Sequence, residues 1–112
     1  MARGIEHRIE DAFRRIVRSR SENGRGKTSE KILADGITFF REHFLGENGS
    51  EVFNPRDLAK YLTFVDAVKS EEEGLALVQS IPHMYQIDDG KMGHLYFERH
   101  EKKIIVGYSH YN

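Results

Sequence analysis

The hydrophobic period changes once along this 112-residue chain, at Pro82, and that change dictates the order of its secondary structure. Upstream, apolar residues recur at intervals of three and four, the spacing of one helix face. Downstream they alternate, the spacing of one strand face. A helical half followed by a strand half is the pattern of an α+β fold.

Breakers divide the helical half. Ile5, Ile9, Phe13, Ile16 and Val17 predict an amphipathic helix over about 4–20, which SENGRGK ends. Thr28 or Ser29 can cap a second helix over about 28–45. Its Ile32, Leu33, Ile37, Phe39, Phe40 and Phe44 make a stripe too broad for a half-exposed helix. After GENGS, Asn54 reads as a cap and Pro55 as a first helical position, opening a third helix over about 55–69 with Leu58, Leu62, Val65 and Val68 inward. Ser70 and Glu73 have the spacing of a capping box and start a fourth helix, about 70–81, that Pro82 stops.

In the alternating half, Asp89 and Gly90 read as the central pair of a hairpin turn, where positive φ is needed. That turn pairs Tyr85 with His94 and Ile87 with Met92. A second turn at Glu101 and Lys102 pairs Phe97 with Val106 and Leu95 with Tyr108. The expected fold is therefore α+β, four helices followed by a C-terminal three-stranded antiparallel sheet. With a short strand at EVF, residues 51–53, the order of elements is winged-helix-like. One sheet face carries Met84, Leu95, Phe97, Ile104, Val106 and Tyr108, suited to packing on helices. The other carries His83, Tyr85, Ile87, Met92, His94, Tyr96, Glu98, Ile105, Ser109 and Tyr111.

That second face is too aromatic for an ordinary solvated surface and too polar for an ordinary core, which is the character of an interaction surface. Tyr85, Met92, His94, Tyr96 and Tyr111 are its candidate partner-binding residues, the partner being another protein or a second copy of the chain. The competing reading has the N-terminal helix folded over this face. A second candidate is the basic cluster Arg14, Arg15, Arg18, Arg20, Arg25 and Lys27, which could neutralise nucleic-acid phosphates, with Tyr85, His94 and Tyr96 stacking on single-stranded bases. In a winged helix the element at 70–81 would enter the major groove, but it opens with Glu71, Glu72 and Glu73, which would face phosphates.

Catalytic and cofactor motifs are weaker. Gly26, Lys27 and Thr28 end a segment like a phosphate loop, yet Ser21 stands where its first glycine belongs and a helix precedes it, so no nucleotide cofactor is assigned. His94 and Glu98 lie roughly 13 Å apart at about 3.3 Å per strand residue. Tyr85 opposite His94, with His83 on the diagonal, is the tighter cluster for a metal-independent ribonuclease. His83 and His94 lack a third metal ligand, because His110 falls on the opposite face. No catalytic residue and no metal ligand is assigned.

A length of 112 residues fits one domain, 1–112, and 38% hydrophobic with 31% charged residues fits a globular one. No apolar run reaches about 18 residues, so no membrane partner is expected. The absence of cysteine and the charged N-terminus fit a cytoplasmic location. Charge is unevenly spread. Residues 1–31 hold nine Lys or Arg against five Asp or Glu, and the rest hold eight against thirteen, for a net −1. The function expected is a small non-catalytic cytoplasmic binding or regulatory protein acting through protein–protein contact. Nucleic-acid binding through the basic N-terminal helix and loop is the alternative, and a small metal-independent ribonuclease comes third.

Overall fold

The computed structural model describes residues 5–20 and 28–111. Its elements are α1 (Ile5–Arg18), α2 (Ser29–Phe44), β1 (Ser50–Phe53), α3 (Pro55–Phe64), α4 (Glu71–Gln79), β2 (Met84–Asp88), β3 (Gly93–His100) and β4 (Lys103–His110). Three helices start where short polar side chains can take up an orphan backbone N–H. Thr28 accepts from the Lys31 N–H at 3.1 Å, Asn54 from Asp57 at 2.8 Å, and Ser70 from Glu73 at 3.1 Å. Among the described residues no helix is long and apolar enough to cross a membrane.

Helix α3 stops earlier than its apolar spacing predicts. Asp66 takes φ 64°, and the N–H groups of Asp66 and Ala67 turn back to the carbonyls of Thr63 and Leu62. This left-handed closure satisfies the last helical carbonyls. Val65 and Val68 stay buried beyond the helix end, so the hydrophobic pattern carries no mark of the stop.

The sheet has four antiparallel strands in the order β1-β4-β3-β2, not the three expected. The added strand is β1, which pairs with the last strand from Ser50 opposite Gly107 to Phe53 opposite Ile104. Between β3 and β4 the expected register holds, with Leu95 opposite Tyr108 and Phe97 opposite Val106, and Glu101 takes φ 54° in the turn.

Between β2 and β3 the expected register fails. Tyr85 lies opposite Phe97 rather than His94, and Ile87 opposite Leu95 rather than Met92. The cause is Asp89, which does not sit at the tip of a two-residue turn. Its Oδ1 accepts the N–H groups of Lys91, Met92 and Gly93 at 2.8, 3.1 and 3.3 Å, and its own N–H closes the loop onto Gly93 O at 3.0 Å. The longer loop moves the pairing by three positions. An odd shift turns every side chain of β2 over, so Tyr85 and Ile87 point inward and Met84 outward.

The helices cover the inner face. Phe13 of α1 meets Phe40 of α2 edge-on at 5.4 Å and Phe97 of β3 at 6.2 Å. Ile9, Leu58, Leu62, Leu77, Leu95 and Val106 belong to the same buried cluster. Arg99, inward-facing at the end of β3, donates to Val78 O at 2.7 Å and Ile81 O at 3.1 Å, tying the sheet to the carbonyl end of α4. α1 and α2 cross closely because Gly36 has no side chain. A Cβ there would lie 2.1 Å from the Phe13 carbonyl oxygen, whereas one at Gly74 would lie 3.0 Å from Ala59 O.

Alanine favours a helix over glycine by about 1 kcal/mol, while overpacking costs about 1–3 kcal/mol or more when the obstacle is backbone. Gly36→Ala should therefore lower the unfolding free energy by about 2 kcal/mol or more, and Gly74→Ala should stay within about 1 kcal/mol of the parent. Chemical denaturation of the two variants side by side checks the ranking; equal losses would refute the close crossing.

Candidate functional site

Strand alternation assigns the second sheet face. It carries Val52 from β1, Met84, Gln86 and Asp88 from β2, His94, Tyr96, Glu98 and His100 from β3, and Ile105, Gly107 and Ser109 from β4, with Tyr111 just beyond. α1 packs on α2 and reaches Phe97 from the inner side, so it does not fold over this face. Val52, Met84 and Tyr111 are at least half exposed.

Three rings organise its centre. His94 lies 6.3 Å from the Tyr96 ring and 5.6 Å from the Tyr111 ring. Tyr96 lies over Gly107, its cross-strand neighbour, where a Cβ would come within 2.3 Å of the phenol ring. Glycine on a strand interior ordinarily weakens the strand, and here a neighbouring aromatic ring covers the gap. Between β2 and β3 lies a shallow concavity of about 190 Å³, lined by Met84, Gln86, His94, Tyr96, Glu98 and Ser109 among others. Tyr111 donates its hydroxyl to Asp88, which also accepts the Gly90 N–H at 2.6 Å. The Tyr111 hydroxyl and that amide hold the Asp88 carboxyl below its ordinary value.

Of the expected partner-binding residues, the structure brings His94, Tyr96 and Tyr111 together. Tyr85 is the correction: it faces inward, its ring 6.2 Å from Phe97. Met92 is exposed but sits in the β2–β3 loop, where its carbonyl accepts the Tyr111 N–H. The ribonuclease cluster is not assembled, because Tyr85 and His94 occupy opposite faces and the His83 ring lies 6.4 Å from His100. Among the described residues no three His, Asp or Glu converge as metal ligands.

Three of the four described members of the basic cluster are engaged within the molecule. Arg14 donates to Asp11 at 3.0 Å, with Glu10 and Ser29 O at 3.4 and 3.3 Å. Arg15 pairs with Glu73 of α4 at 3.0 Å. Arg20 donates to Val65 O at 2.8 Å and Ile16 O at 3.1 Å, its guanidinium 4.4 Å above the Phe39 ring. Arg18 is exposed and bonds to no other described residue. Arg25 and Lys27 lie outside the described residues.

The support beneath the site is a pair that sequence reasoning missed. Asp89 is buried and accepts the Tyr108 hydroxyl as well as its three loop amides. Burial alone would raise the Asp89 carboxyl, but the Tyr108 hydroxyl and the amides outweigh it, leaving a net depression. Burial, with the Asp89 charge, pushes the Tyr108 hydroxyl up to about 12. The neutral phenol thus donates to a fixed carboxylate, and together they hold the loop that sets the register of β2. The sequence signal was the doubled Asp88 and Asp89, one aspartate more than a hairpin tip requires.

Comparison of the chain with protein-family models, with curated proteins and with solved structures found no match.

The Asp89 carboxyl fixes the sign of one pH dependence. A carboxyl depressed on folding stabilises the protein fully above its unfolded value near 3.8, and that contribution is lost as pH falls through the lower folded value. Denaturation midpoints should hold steady down to about pH 4 and then fall. Asp89→Asn should lose about 2 kcal/mol at neutral pH and show a flatter acid limb, with Asp88 supplying the residual slope. A variant limb as steep as the parent's would assign acid sensitivity elsewhere.

Proposed function

We propose that this is a small non-catalytic binding protein that acts by contact with another protein chain, seated on the uncovered face of the sheet. The observation that carries the proposal is the row His94, Tyr96 and Tyr111, set among Val52, Met84 and Ile105 on the face opposite the helices. A contiguous aromatic and aliphatic patch of this kind is a usual mark of a protein interface. Tyr96 is held against Gly107 before any partner arrives, so docking orders few side chains and little entropy is lost.

Charge argues for the partner's chemistry. Asp88 and Glu98 are the carboxylates of this face. The occupant that fits is a protein surface with an apolar centre and basic groups at its margin. Nucleic acid stands second. Of the cations that would contact phosphates, Arg14, Arg15 and Arg20 already have partners in the molecule. The winged-helix-like reading leads the same way, because α4 opens with Glu71, Glu72 and Glu73.

The test is a photo-reactive phenylalanine analogue placed at Tyr96, with a control at Thr38 on α2, in cells that make the full chain. A discrete protein adduct from position 96 alone is expected. Tyr96→Ala should then weaken binding of the purified partner by at least about 10-fold, and Arg18→Glu should leave it unchanged. Equal adducts from both positions, or loss of binding in Arg18→Glu alone, would sink the assignment. Self-adducts with a dimer mass in light scattering would hand the face to a second copy and overturn the heterologous partner.

A further inference from the structure

A separate surface carries charge of the opposite kind. Between the start of α3, the end of α4 and the β3–β4 turn lies a groove of about 620 Å³. Arg56 and Lys60 enter it from successive turns of α3, Lys102 from the β3–β4 turn and Lys103 from the start of β4. None of these four cations bonds to, or pairs with, another described residue.

Cations elsewhere in the described structure are mostly spoken for. Arg14, Arg15, Lys31 and Arg99 meet carboxylates or carbonyls, and Arg41 lies over the Tyr108 ring. In a chain of net charge −1, four unneutralised cations around one concavity are not a by-product of general basicity. The groove's carboxylate, Asp57, is engaged at its rim, accepting from the Asn54 side-chain amide at 2.9 Å. Four cations against that one carboxylate leave the groove with an excess of positive charge, and an anion in the groove converts the repulsion among the cations into attraction.

We propose that this groove is a binding site for a compact polyphosphate anion, from inorganic tripolyphosphate to a nucleoside triphosphate in size. The volume lies within the range of small-ligand sites, roughly 300–1,000 Å³. Arg56 supplies the planar fork that matches two phosphate oxygens, and the three lysines supply point charges around it. No aromatic ring lines the groove, so a base has nothing to stack on and the phosphates carry recognition. A long nucleic acid fits less well, since Arg14 and Arg15 of α1, which would extend the basic track, are paired internally and α4 opens with three glutamates.

The experiment is isothermal titration of the full chain with sodium tripolyphosphate at low ionic strength, followed by ATP and by single-stranded oligothymidines of about 5 and about 20 nucleotides. One tripolyphosphate per chain is expected, with ATP bound comparably. Lys102→Gln with Lys103→Gln, and separately Arg56→Gln, should each weaken it by at least about 10-fold. Arg56→Lys should recover only part of the affinity, and Arg18→Gln should change nothing. These side chains are exposed or lie on a turn, so the variants should keep the parent's circular dichroism and melting temperature. Absence of tripolyphosphate binding, or equal loss in Arg18→Gln, would overturn the site. Oligothymidine affinity that climbs with length above that of tripolyphosphate would reassign the groove to nucleic acid. None of these outcomes depends on the sheet face, so the groove and the proposed partner surface stand or fall separately.

Discussion

The junction of Phe13, Phe40 and Phe97 decides the rest of the architecture. The Phe13 ring of α1 meets Phe40 of α2 at 5.4 Å and Phe97 of β3 at 6.2 Å, and none of the three can leave without opening a cavity at the centre of the core. Because Phe97 points inward, every second residue of β3 points inward with it, and the alternating set of Tyr96 and His94 must point out. Burying one face of an antiparallel sheet while leaving the other open is a stable arrangement, since the backbone is already paired within the sheet. The Phe13 carbonyl can lie against α2 because Gly36 presents no Cβ, so one small residue permits the contact on which the large ones depend.

The same packing sorts the charges. α1 lies where Arg14 and Arg15 find Glu10, Asp11 and Glu73, and Arg20 just beyond its end finds the carbonyl of Val65, so a segment that is strongly basic in sequence becomes a braced seam between helices. Glu73 has two duties there, its amide capped by Ser70 and its carboxylate drawn to Arg15. Cations with no such neighbours collect instead at the opposite end of α3. Linear charge counts describe neither outcome, because pairing depends on which elements touch.

Legibility in the sequence followed the range of the interaction. Thr28, Asn54 and Ser70 cap helices through bonds spanning three residues, and all three starts fall where the residues mark them. The β3–β4 register was legible because a two-residue turn fixes it locally. The β2–β3 register was not, because Asp89 is drawn inward by Tyr108, nineteen residues away, and Tyr85 went to the wrong face with it. His94, Tyr96 and Tyr111 fall on the expected face of the sheet because they lie on or beside the strands whose pairing was right. Arg56, Lys60, Lys102 and Lys103 left no mark, being spread over three elements with no shared spacing.

By itself, then, the sequence determined the α+β class, the number and starts of the helices, the β3–β4 hairpin and the alternation that separates core from surface rings. Each of these rests on contacts between residues close along the chain, where spacing is geometry. Only the tertiary structure decided that β1 joins β4, that β2 is turned over, that Arg14, Arg15 and Arg20 are internally engaged and that a basic groove opens beside α3. Those depend on bonds and charges between segments tens of residues apart, and a linear pattern holds no distance between them until the core has formed.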